Sequence, residues 1–182
     1  TPQSWIGFNY AKSCKDPANK AVHFFVDDYQ FNRLWTNPDA YLDMLRRFKA
    51  VCTPDFSTYT DFPKAVQIWN HYRKHWLGAY WQGNGITVIP TISWSDESSF
   101  EWCFDGEPVG GAVAVSSVGT QLNKRAAELF RLGYDEMLRR LNPSTIYFYG
   151  LVPEGISGPI VHVAAFQEQI KARTTKPKES VV

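Results

Sequence analysis

Three aspartates stand directly after apolar segments of this chain and are its strongest candidates for chemistry. Asp27 and Asp28 end one apolar run, and Asp55 ends another, with Ser57 two residues later. Clustered carboxylates can bind a hard cation such as Mg²⁺, or one of them can have a raised pKa and act as a general acid or base. The alternative is structural, because Asp and Ser at such positions often cap helix or turn amides. Side chains alternate along a strand, so only one of Asp27 and Asp28 is expected to point toward Asp55.

Small residues after a later apolar run are candidates for phosphate binding. Ser116, Ser117 and Gly119 lie between a predicted strand and a predicted helix, where free backbone amides can bind an anion. Gly150, at the end of the next predicted strand, could widen the same site. The segment has neither the lysine of a P-loop nor the three-glycine dinucleotide pattern, so a plain tight turn is the alternative. Trp94 is a candidate for stacking on a ligand ring or, alternatively, for packing in the core.

The histidines and cysteines give little indication of a metal site. His71 and His75 have the spacing of two ligands on one helix face, but Tyr72 stands where the zinc-protease pattern has glutamate. His23 and His162 lie within predicted strands and are expected in the core or in a cavity wall. The three cysteines have no CxxC spacing, so neither a disulfide framework nor a zinc knuckle is predicted. Mg²⁺ at the aspartates is therefore the one candidate cofactor.

Alternating strands and helices are expected to position these residues. Apolar runs predict strands at residues 21–27, 50–53, 86–92, 112–115, 144–149 and 160–164. Helical patterns predict helices at residues 37–49, 62–81, 121–141 and 166–173. This order predicts an α/β fold with a mainly parallel sheet of about five to six strands and flanking helices, as a doubly wound sheet or a reduced β/α barrel. The candidates should then converge at the carboxyl edge of the strands.

The chain length suits one domain with short extensions, since it has 182 residues. Residues 1–20 are expected to form an irregular N-terminal arm, residues 21–173 a single α/β domain, and residues 174–182 a flexible tail. The helix predicted at residues 62–81 carries an aromatic stripe, which is expected to pack on the sheet, with a stacking platform for nucleic-acid bases as the alternative. The stripe consists of Trp69, Tyr72, Trp76 and Tyr80, with Ala65 on the same side.

Charge and hydropathy limit the partners that the sequence predicts. The formal net charge is +1, so charge does not favour nucleic acid as a ligand. The basic pairs in predicted helices are expected on solvated helix faces. No apolar run approaches the roughly 20 residues that span a bilayer, so no membrane partner is expected. Unpaired cysteines are typical of a reducing compartment, which predicts the cytoplasm as the location.

Several of these motifs together resemble one known family. They are residues 27–31, 53–57, 67–70, 85–90 and 115–119, together with Trp94. The family consists of uncharacterised proteins of bacteriophages and integrative mobile elements and is described only as a domain of unknown function. The resemblance covers roughly residues 22–150 and implies an intracellular protein used by a mobile element. It implies no particular activity.

The sequence thus favours an enzyme that acts on a nucleotide, a nucleoside or a phosphorylated small molecule. Hydrolysis or group transfer is expected, because the dinucleotide pattern of redox enzymes is absent. Asp55 would be the general acid or base, with Asp27 or Asp28 as its charged partner, and the serine-rich turn would hold a phosphate. Whether the protein is an enzyme at all stays open at this point.

The alternative is a non-enzymatic binding module for nucleic acid or a host protein. In that case basic helix residues would matter more than the aspartates. These residues are Arg73, Lys74, Arg139 and Arg140.

Overall fold

The structure is a computed structural model that describes residues 1–166, Glu168 and Ile170. Its described strands are parallel and form two sheets. In spatial order, the first sheet contains β1 (Ser4–Gly7), β2 (Lys20–His23), β3 (Ala50–Cys52) and β4 (Val88–Ile89). The second sheet contains β5 (Ala112–Ser116), β6 (Thr145–Tyr149) and β7 (Ile160–Val163). The α/β class with parallel strands is therefore confirmed.

Helices of very different length connect the strands. Three are single turns: α1 (Phe8–Ala11), α2 (Arg33–Thr36) and α3 (Leu42–Leu45). Two are long: α4 (Lys64–Gly83) and α5 (Lys124–Leu141). Short 3-10 helices lie at Pro17–Asn19, Asp28–Gln30, Asp39–Tyr41 and Glu97–Glu101. No described helix is long and apolar enough to cross a lipid bilayer.

The two sheets meet beyond the end of β4. An isolated parallel bridge joins Thr91 to Ala114, and the amide of Ala114 donates to the carbonyl of Pro90 at 2.8 Å. Pro90 has no amide hydrogen, so it ends the regular pairing of β4. Because the strands form two sheets, the predicted single sheet of five to six strands is not confirmed. The strand order within each sheet is sequential, without the reversal that defines a doubly wound sheet.

Side chains of both sheets share one apolar core. Tyr147 and Tyr149 of β6 pack in the same buried cluster as Val22 and Val51 of the first sheet. The rings of Trp5 and Tyr147 are 4.9 Å apart. The second sheet is thus held to the first by packing as well as by the bridge.

The N-terminal segment is more ordered than the sequence indicates. β1 pairs with β2 in parallel, from Ser4 opposite Lys20 to Gly7 opposite His23. The prediction of an irregular arm over residues 1–20 is wrong for this strand, because four residues are too short for a clear alternation of apolar side chains. The tail predicted at residues 174–182, and most of the helix predicted at residues 166–173, lie outside the described residues.

The helix predicted at residues 37–49 is broken into shorter pieces. The structure has a 3-10 helix at Asp39–Tyr41 and the single turn α3, and β3 follows five residues later. Leu45 and Phe48 are nevertheless buried, as their spacing indicates. The apolar periodicity therefore identified the buried side chains but not the length of the helix.

The orientation of α4 is the opposite of the predicted one. Trp69, Tyr72 and Trp76 are 47%, 51% and 38% exposed, and Trp35 packs on them from α2, 5.4 Å from both Trp69 and Trp76. The buried face consists of Gln67, Asn70, Lys74, Leu77, Gly78 and Trp81. The prediction that the aromatic stripe packs on the sheet is therefore wrong for Trp69, Tyr72 and Trp76, whereas Tyr80 packs half-buried against the core. Polar side chains occupy the inner face because they have specific partners there, and periodicity does not detect such partners.

The helix α5 packs in the way its sequence predicts. Phe130, Tyr134 and Met137 are buried against the second sheet. The side chain of Asn123 caps its start by accepting from the amide of Ala126 at 2.9 Å. Asn142 ends it in the left-handed conformation, with φ of 41°. The helix consequently begins three residues later than predicted and ends where predicted.

Candidate functional site

The turns after β2 and β3 bring Asp28, Asp55 and Ser57 into one region. β2 and β3 are parallel neighbours, with Val22 opposite Val51, so both carboxyl ends reach the same edge. The carboxylate of Asp28 accepts from the backbone amide of Ser57 at 3.1 Å and from its hydroxyl at 2.8 Å. Asp28 is thus fixed in place beside the strand end that carries Asp55.

The surroundings of Asp55 shift the pKa of its carboxyl group strongly. It is half-buried, and burial raises its pKa to about 7. The negative charge of Asp28 also raises this pKa, whereas the positive charge of Lys74 and a hydrogen bond with Ser93 lower it. Near neutral pH Asp55 therefore exists in both the protonated and the ionised form. That property is what a general acid or base needs.

A buried lysine supplies the positive charge near Asp55. Lys74 lies on the inner face of α4, and its ammonium group donates to the carbonyl of Thr91 at 2.8 Å. It also lies 2.9 Å from an oxygen of Glu107, with side-chain exposures of 3% for Lys74 and 2% for Glu107. Burial alone raises the pKa of Glu107, but the charge of Lys74 and the neighbouring His75 produce a net lowering. The expectation of a solvated lysine is therefore wrong.

The inner face of α4 holds the loop that follows β3. The amide group of Asn70 donates to the carbonyl of Ser57 at 2.6 Å. The amide group of Gln67 donates to the carbonyls of Tyr59 and Phe62 at 3.1 and 2.9 Å. These contacts position the segment that contains Ser57 without using any apolar contact. This explains why polar residues occupy the buried face of the helix.

Arg73 brings a second cation close to the aspartates. Its guanidinium lies 3.9 Å from the centre of the Phe56 ring and donates to Asn32 at 2.9 Å and to Asn70 at 2.6 Å. Burial lowers the pKa of Arg73, and the charge of Asp28 acts in the opposite direction. Arg73 is thus part of the site and not a free surface cation.

A cleft of about 420 Å³ opens beside this region, at the carboxyl ends of β1, β2 and β6. Asp27, which is exposed, lines it, whereas Asp28 and Asp55 do not. The two consecutive aspartates therefore face different regions, as the alternation of side chains predicts. Most of the cleft wall is aromatic or apolar: Trp5, Ile6, Tyr10, Phe25, Val26, Val118, Tyr149, Ala165 and Phe166.

His23 is a buried polar residue in the cleft wall. Burial lowers its pKa to about 4, so the ring is neutral near pH 7. The amide of Phe25 donates to Nδ1 of His23 at 3.3 Å, which places the ring proton on Nε2. The ring of Tyr149 is 4.5 Å from the imidazole. A position in the core or in a cavity wall was predicted for His23. Of its aromatic neighbours, Phe25 directly follows β2, whereas Tyr149 comes from the second sheet.

The serine-rich turn after β5 uses its own polar groups. The amide of Val118 donates to the hydroxyl of Ser116, and the amide of Ser117 donates to the carbonyl of Tyr149. The hydroxyl of Ser117 donates to the carbonyl of Leu151 at 2.6 Å. α5 begins only at Lys124, so the turn is not its amino end.

The two glycine candidates, Gly119 and Gly150, also belong to this tight turn or contact it. Gly119 lies within it, and Gly150 packs against it, where an added Cβ would lie 3.1 Å from the Ser117 hydroxyl. The arrangement fits the alternative of a plain turn better than a phosphate loop with several free amides.

Trp94 packs on α5. Its indole nitrogen donates to the carbonyl of Leu129 at 3.1 Å, and its ring is 5.4 Å from that of Phe130. Gly133 lies directly under the ring, since a Cβ there would be 2.2 Å from the indole nitrogen. These contacts match the predicted alternative in which Trp94 packs in the core.

The structure adds three residues to the site that sequence reasoning missed. Lys74 and Ser93 act on the pKa of Asp55, and Glu107 neutralises Lys74. Ser93 follows the apolar run that contains β4, so the rule about strand ends could have selected it. Nothing in the local sequence identifies Lys74 or Glu107, because their pairing joins α4 to a distant loop.

One group of side chains in the described part of the chain has the donors and the spacing for a metal ion. In His71, His75 and Glu107, the potential ligand atoms all lie within 4.8 Å of one another. Asp28 and Asp55 have no third carboxylate, histidine or cysteine at such distances among the described residues. A Mg²⁺ ion between these aspartates would therefore depend on oxygens from water or a substrate.

Comparison with known proteins gives relatives in mycobacteriophages. The chain is 48% identical over 130 residues to the "Gene 1 protein" of Mycobacterium phage L5, covering 71% of this chain and 57% of the relative. It is 45% identical over 130 residues to the "Gene 1 protein" of Mycobacterium phage D29, covering 71% of this chain and 48% of the relative. The chain thus spans about half the length of these curated relatives. No solved structure matches it.

The predicted resemblance to an uncharacterised phage family is confirmed by these relatives and by a family model. That model bears the description "Domain of unknown function (DUF4417)" and matches residues 1–167. Because the match covers nearly the whole chain, this protein belongs to the DUF4417 family.

Proposed function

We propose that the protein is an enzyme that catalyses hydrolysis or group transfer by acid–base chemistry at the carboxyl edge of its first sheet. The observation that carries this proposal is the pKa of Asp55, which burial and the nearby Asp28 raise to about 7. Two carboxylates with different surroundings are a common arrangement for separate acid and base roles. Here Asp55 exchanges the proton, and Asp28, fixed by Ser57, is the neighbouring carboxylate that acts on Asp55.

The aromatic walls of the adjoining cleft favour a substrate that contains a flat ring. Its walls include the rings of Phe25, Tyr149 and His23, and aromatic walls suit stacking on a base. Asp27 reaches this cleft, and Asp28 is the next residue in the chain, so the cleft and the carboxylate pair share one turn. A nucleoside or a nucleotide is therefore the favoured substrate class, with other phosphorylated small molecules as further candidates.

The test is a screen for turnover with matched aspartate variants. Wild-type protein, Asp55→Asn and Asp61→Asn are incubated with a panel of nucleosides, nucleotides and sugar phosphates, with and without Mg²⁺, and products are measured by mass spectrometry. Asp61 is an exposed aspartate of the same loop and serves as the control. We expect Asp55→Asn to reduce kcat by about 10²- to 10⁴-fold, the usual contribution of a general acid or base. Asp61→Asn should retain wild-type activity.

The pH profile distinguishes proton transfer from a structural role of Asp55. In the wild type, kcat should change with an inflection near pH 7, because Asp55 titrates there. Equal turnover by wild type and Asp55→Asn would contradict the proposal. So would saturable binding of a panel compound without any turnover, which would instead favour a binding module.

The non-enzymatic alternative draws support from the exposed aromatic face of α4, formed by Trp69, Tyr72 and Trp76. Stacking on exposed aromatic rings is a common way of binding single-stranded nucleic acid. Three of the basic residues first considered for this role form ion pairs within the protein: Lys74 pairs with Glu107, and Arg139 and Arg140 share Glu136. A mobility-shift assay at low salt with Trp69→Ala tests this version, and retention of nucleic acid that this variant loses would support it.

A further inference from the structure

The outer part of α4 and a distant loop together form a compact group of nitrogen and oxygen donors. His71 and His75 lie one turn apart on α4, and their rings are 4.2 Å apart. Glu107 comes from the loop that precedes β5, and its Oε1 lies 3.1 Å from Nε2 of His75. The potential ligand atoms of the three side chains lie within 4.8 Å of one another. Two histidines and one carboxylate are a common donor set for a transition-metal ion.

The hydrogen bonds of the two imidazoles leave one nitrogen of each ring available. Nδ1 of His75 is 2.9 Å from the carbonyl of His71, and Nε2 of His71 is 3.1 Å from the carbonyl of Asp105. A carbonyl oxygen only accepts, so each of these nitrogens donates a proton in the neutral ring. The remaining nitrogen of each ring then has a free lone pair. Metal-binding histidines are usually oriented in this way by a backbone carbonyl.

The contact between His75 and Glu107 is incomplete in the protein alone. With Nδ1 protonated, the lone pair of Nε2 faces the carboxylate oxygen at 3.1 Å. Nε2 of His75 is buried and has no hydrogen bond among the described residues, whereas the carboxylate oxygen pairs with the ammonium group of Lys74. A cation that contacts both atoms would offset the repulsion between the Nε2 lone pair and the carboxylate oxygen. Lys74 lies 2.9 Å from the same oxygen, but Nε2 of His75 has no such partner.

The loop that carries Glu107 is shaped to approach His75. Gly106 has φ of +77°, and an added Cβ would lie 3.1 Å from Cδ2 of the His75 ring. Both the positive φ and the close contact favour glycine at this position. Lys74 also donates to the carbonyl of Thr91, so it keeps a partner when Glu107 binds another cation.

We propose that His71, His75 and Glu107 form a binding site for a divalent transition-metal ion of the Zn²⁺ class. The mixed nitrogen and oxygen donors favour Zn²⁺ over Mg²⁺, which prefers oxygen ligands. Three protein ligands leave a coordination position for water. The site is distinct from the pair of Asp28 and Asp55.

The test is calorimetric titration of metal-depleted protein with Zn²⁺. The compared proteins are the wild type, His71→Gln, His75→Gln and His162→Gln. His162 is the matched control, because it also lies near a glutamate, with 3.5 Å between its Nε2 and Glu168. We expect one Zn²⁺ per wild-type chain and the same affinity in His162→Gln. The affinity should fall by at least about tenfold in His71→Gln and His75→Gln.

A second measurement, the change of Tm on addition of Zn²⁺, distinguishes loss of metal binding from loss of the fold. Zn²⁺ should raise the Tm of the wild type and of His162→Gln, and this rise should be absent or strongly reduced in His71→Gln, whose ring is only half-buried. His71→Gln therefore answers the question even if His75→Gln does not fold. Absence of Zn²⁺ binding by the wild type, or equal affinity in all four proteins, would overturn the proposal.

Discussion

At the scale of single residues, the most informative contrast is between two neighbouring carboxylates. Asp28 accepts two hydrogen bonds from Ser57, whereas Asp55 is held in surroundings that disfavour its charge. The sequence predicted that one of two consecutive aspartates would join Asp55, and Asp28 does so. The raised pKa of Asp55 could not be predicted, because it depends on burial and on charges from α4.

The pKa of Asp55 has a consequence for stability that does not require knowledge of the substrate. The folded-state pKa of about 7 lies above the value of about 4 for an aspartate in an unfolded chain. Between these two values the folded protein binds a proton that the unfolded chain releases. The free energy of unfolding therefore falls as the pH rises through this window.

We predict that Asp55→Asn removes most of this pH dependence, because Asn is neutral at every pH. Relative to the variant, the wild type should lose of order 1 to 4 kcal/mol of stability between about pH 4 and about pH 8. Urea unfolding of both proteins across this range measures the difference. Titration of His23 and His71 is common to both proteins and cancels. Asp61→Asn should follow the wild-type curve, and parallel curves for the wild type and Asp55→Asn would contradict the raised pKa.

The buried ion pair of Lys74 and Glu107 gives a second prediction at this scale. Lys74→Met leaves a carboxylate that is 2% exposed without its ammonium partner. We expect the free energy of unfolding to fall by about 3–5 kcal/mol, the usual cost of breaking a buried pair. Denaturant titration is the measurement.

An exposed pair provides the control for Lys74→Met. Lys64 and Glu101 are 3.1 Å apart with side-chain exposures of 56% and 74%, so Lys64→Met should cost less than about 1 kcal/mol. The double variant Lys74→Met/Glu107→Gln should recover part of the loss. Equal effects of Lys74→Met and Lys64→Met would show that the buried pair is not formed.

At the scale of elements, the two long helices differ in how well their sequences reveal their buried faces. α5 buries Phe130, Tyr134 and Met137, side chains that recur at helical spacing along its sequence. α4 buries polar side chains such as Gln67 and Asn70, which hold the loop after β3. Its residues Trp69, Tyr72 and Trp76 lie outside and pack with Trp35. Hydrophobic periodicity therefore predicts a buried face only where burial is driven by apolar contacts.

The contact between α5 and Trp94 yields a prediction about packing. An added Cβ at Gly133 would lie 2.2 Å from the indole nitrogen of Trp94. We expect Gly133→Ala to lower the free energy of unfolding by about 1–3 kcal/mol, because the core must shift to make room. Thermal or urea unfolding measures this loss. Gly83→Ala at the end of α4 is the control, since an added Cβ meets nothing within 4 Å, and it should be neutral or stabilising by up to about 1 kcal/mol. A neutral Gly133→Ala would contradict the close contact.

At the scale of the whole molecule, the two sheets behave structurally as one unit. The bridge between Thr91 and Ala114 joins them, and Tyr147 and Tyr149 pack with the first sheet. Neither sheet has a separate core on that side. The shared core is also what places the cleft between the ends of β2 and β6.

We therefore predict that the described part of the chain unfolds in one cooperative transition. Hydrogen exchange followed by mass spectrometry should give the same opening free energy for peptides that contain β3 and β6, because opening either sheet exposes the shared core. Far-ultraviolet circular dichroism and tryptophan fluorescence should report the same midpoint in urea. Two separate transitions would contradict the shared core.

The α/β class, the parallel strands, most strand positions and the family could be predicted from the sequence alone. Each of these depends on local patterns, such as apolar runs, caps and turn residues, which are readable in short windows of sequence. The same reasoning placed Asp28, Asp55 and Ser57 at strand ends on one edge.

Which of these residues contact one another, and what charge they carry, depends on tertiary packing. Lys74 and Glu107 are far apart in sequence, yet their pairing influences Asp55 and places Glu107 beside His75. The division into two sheets also depends on the bridge beyond Pro90. Long-range pairing and burial arise when distant segments pack together, so the orientation of α4 and the pKa of Asp55 have no local signal in the sequence.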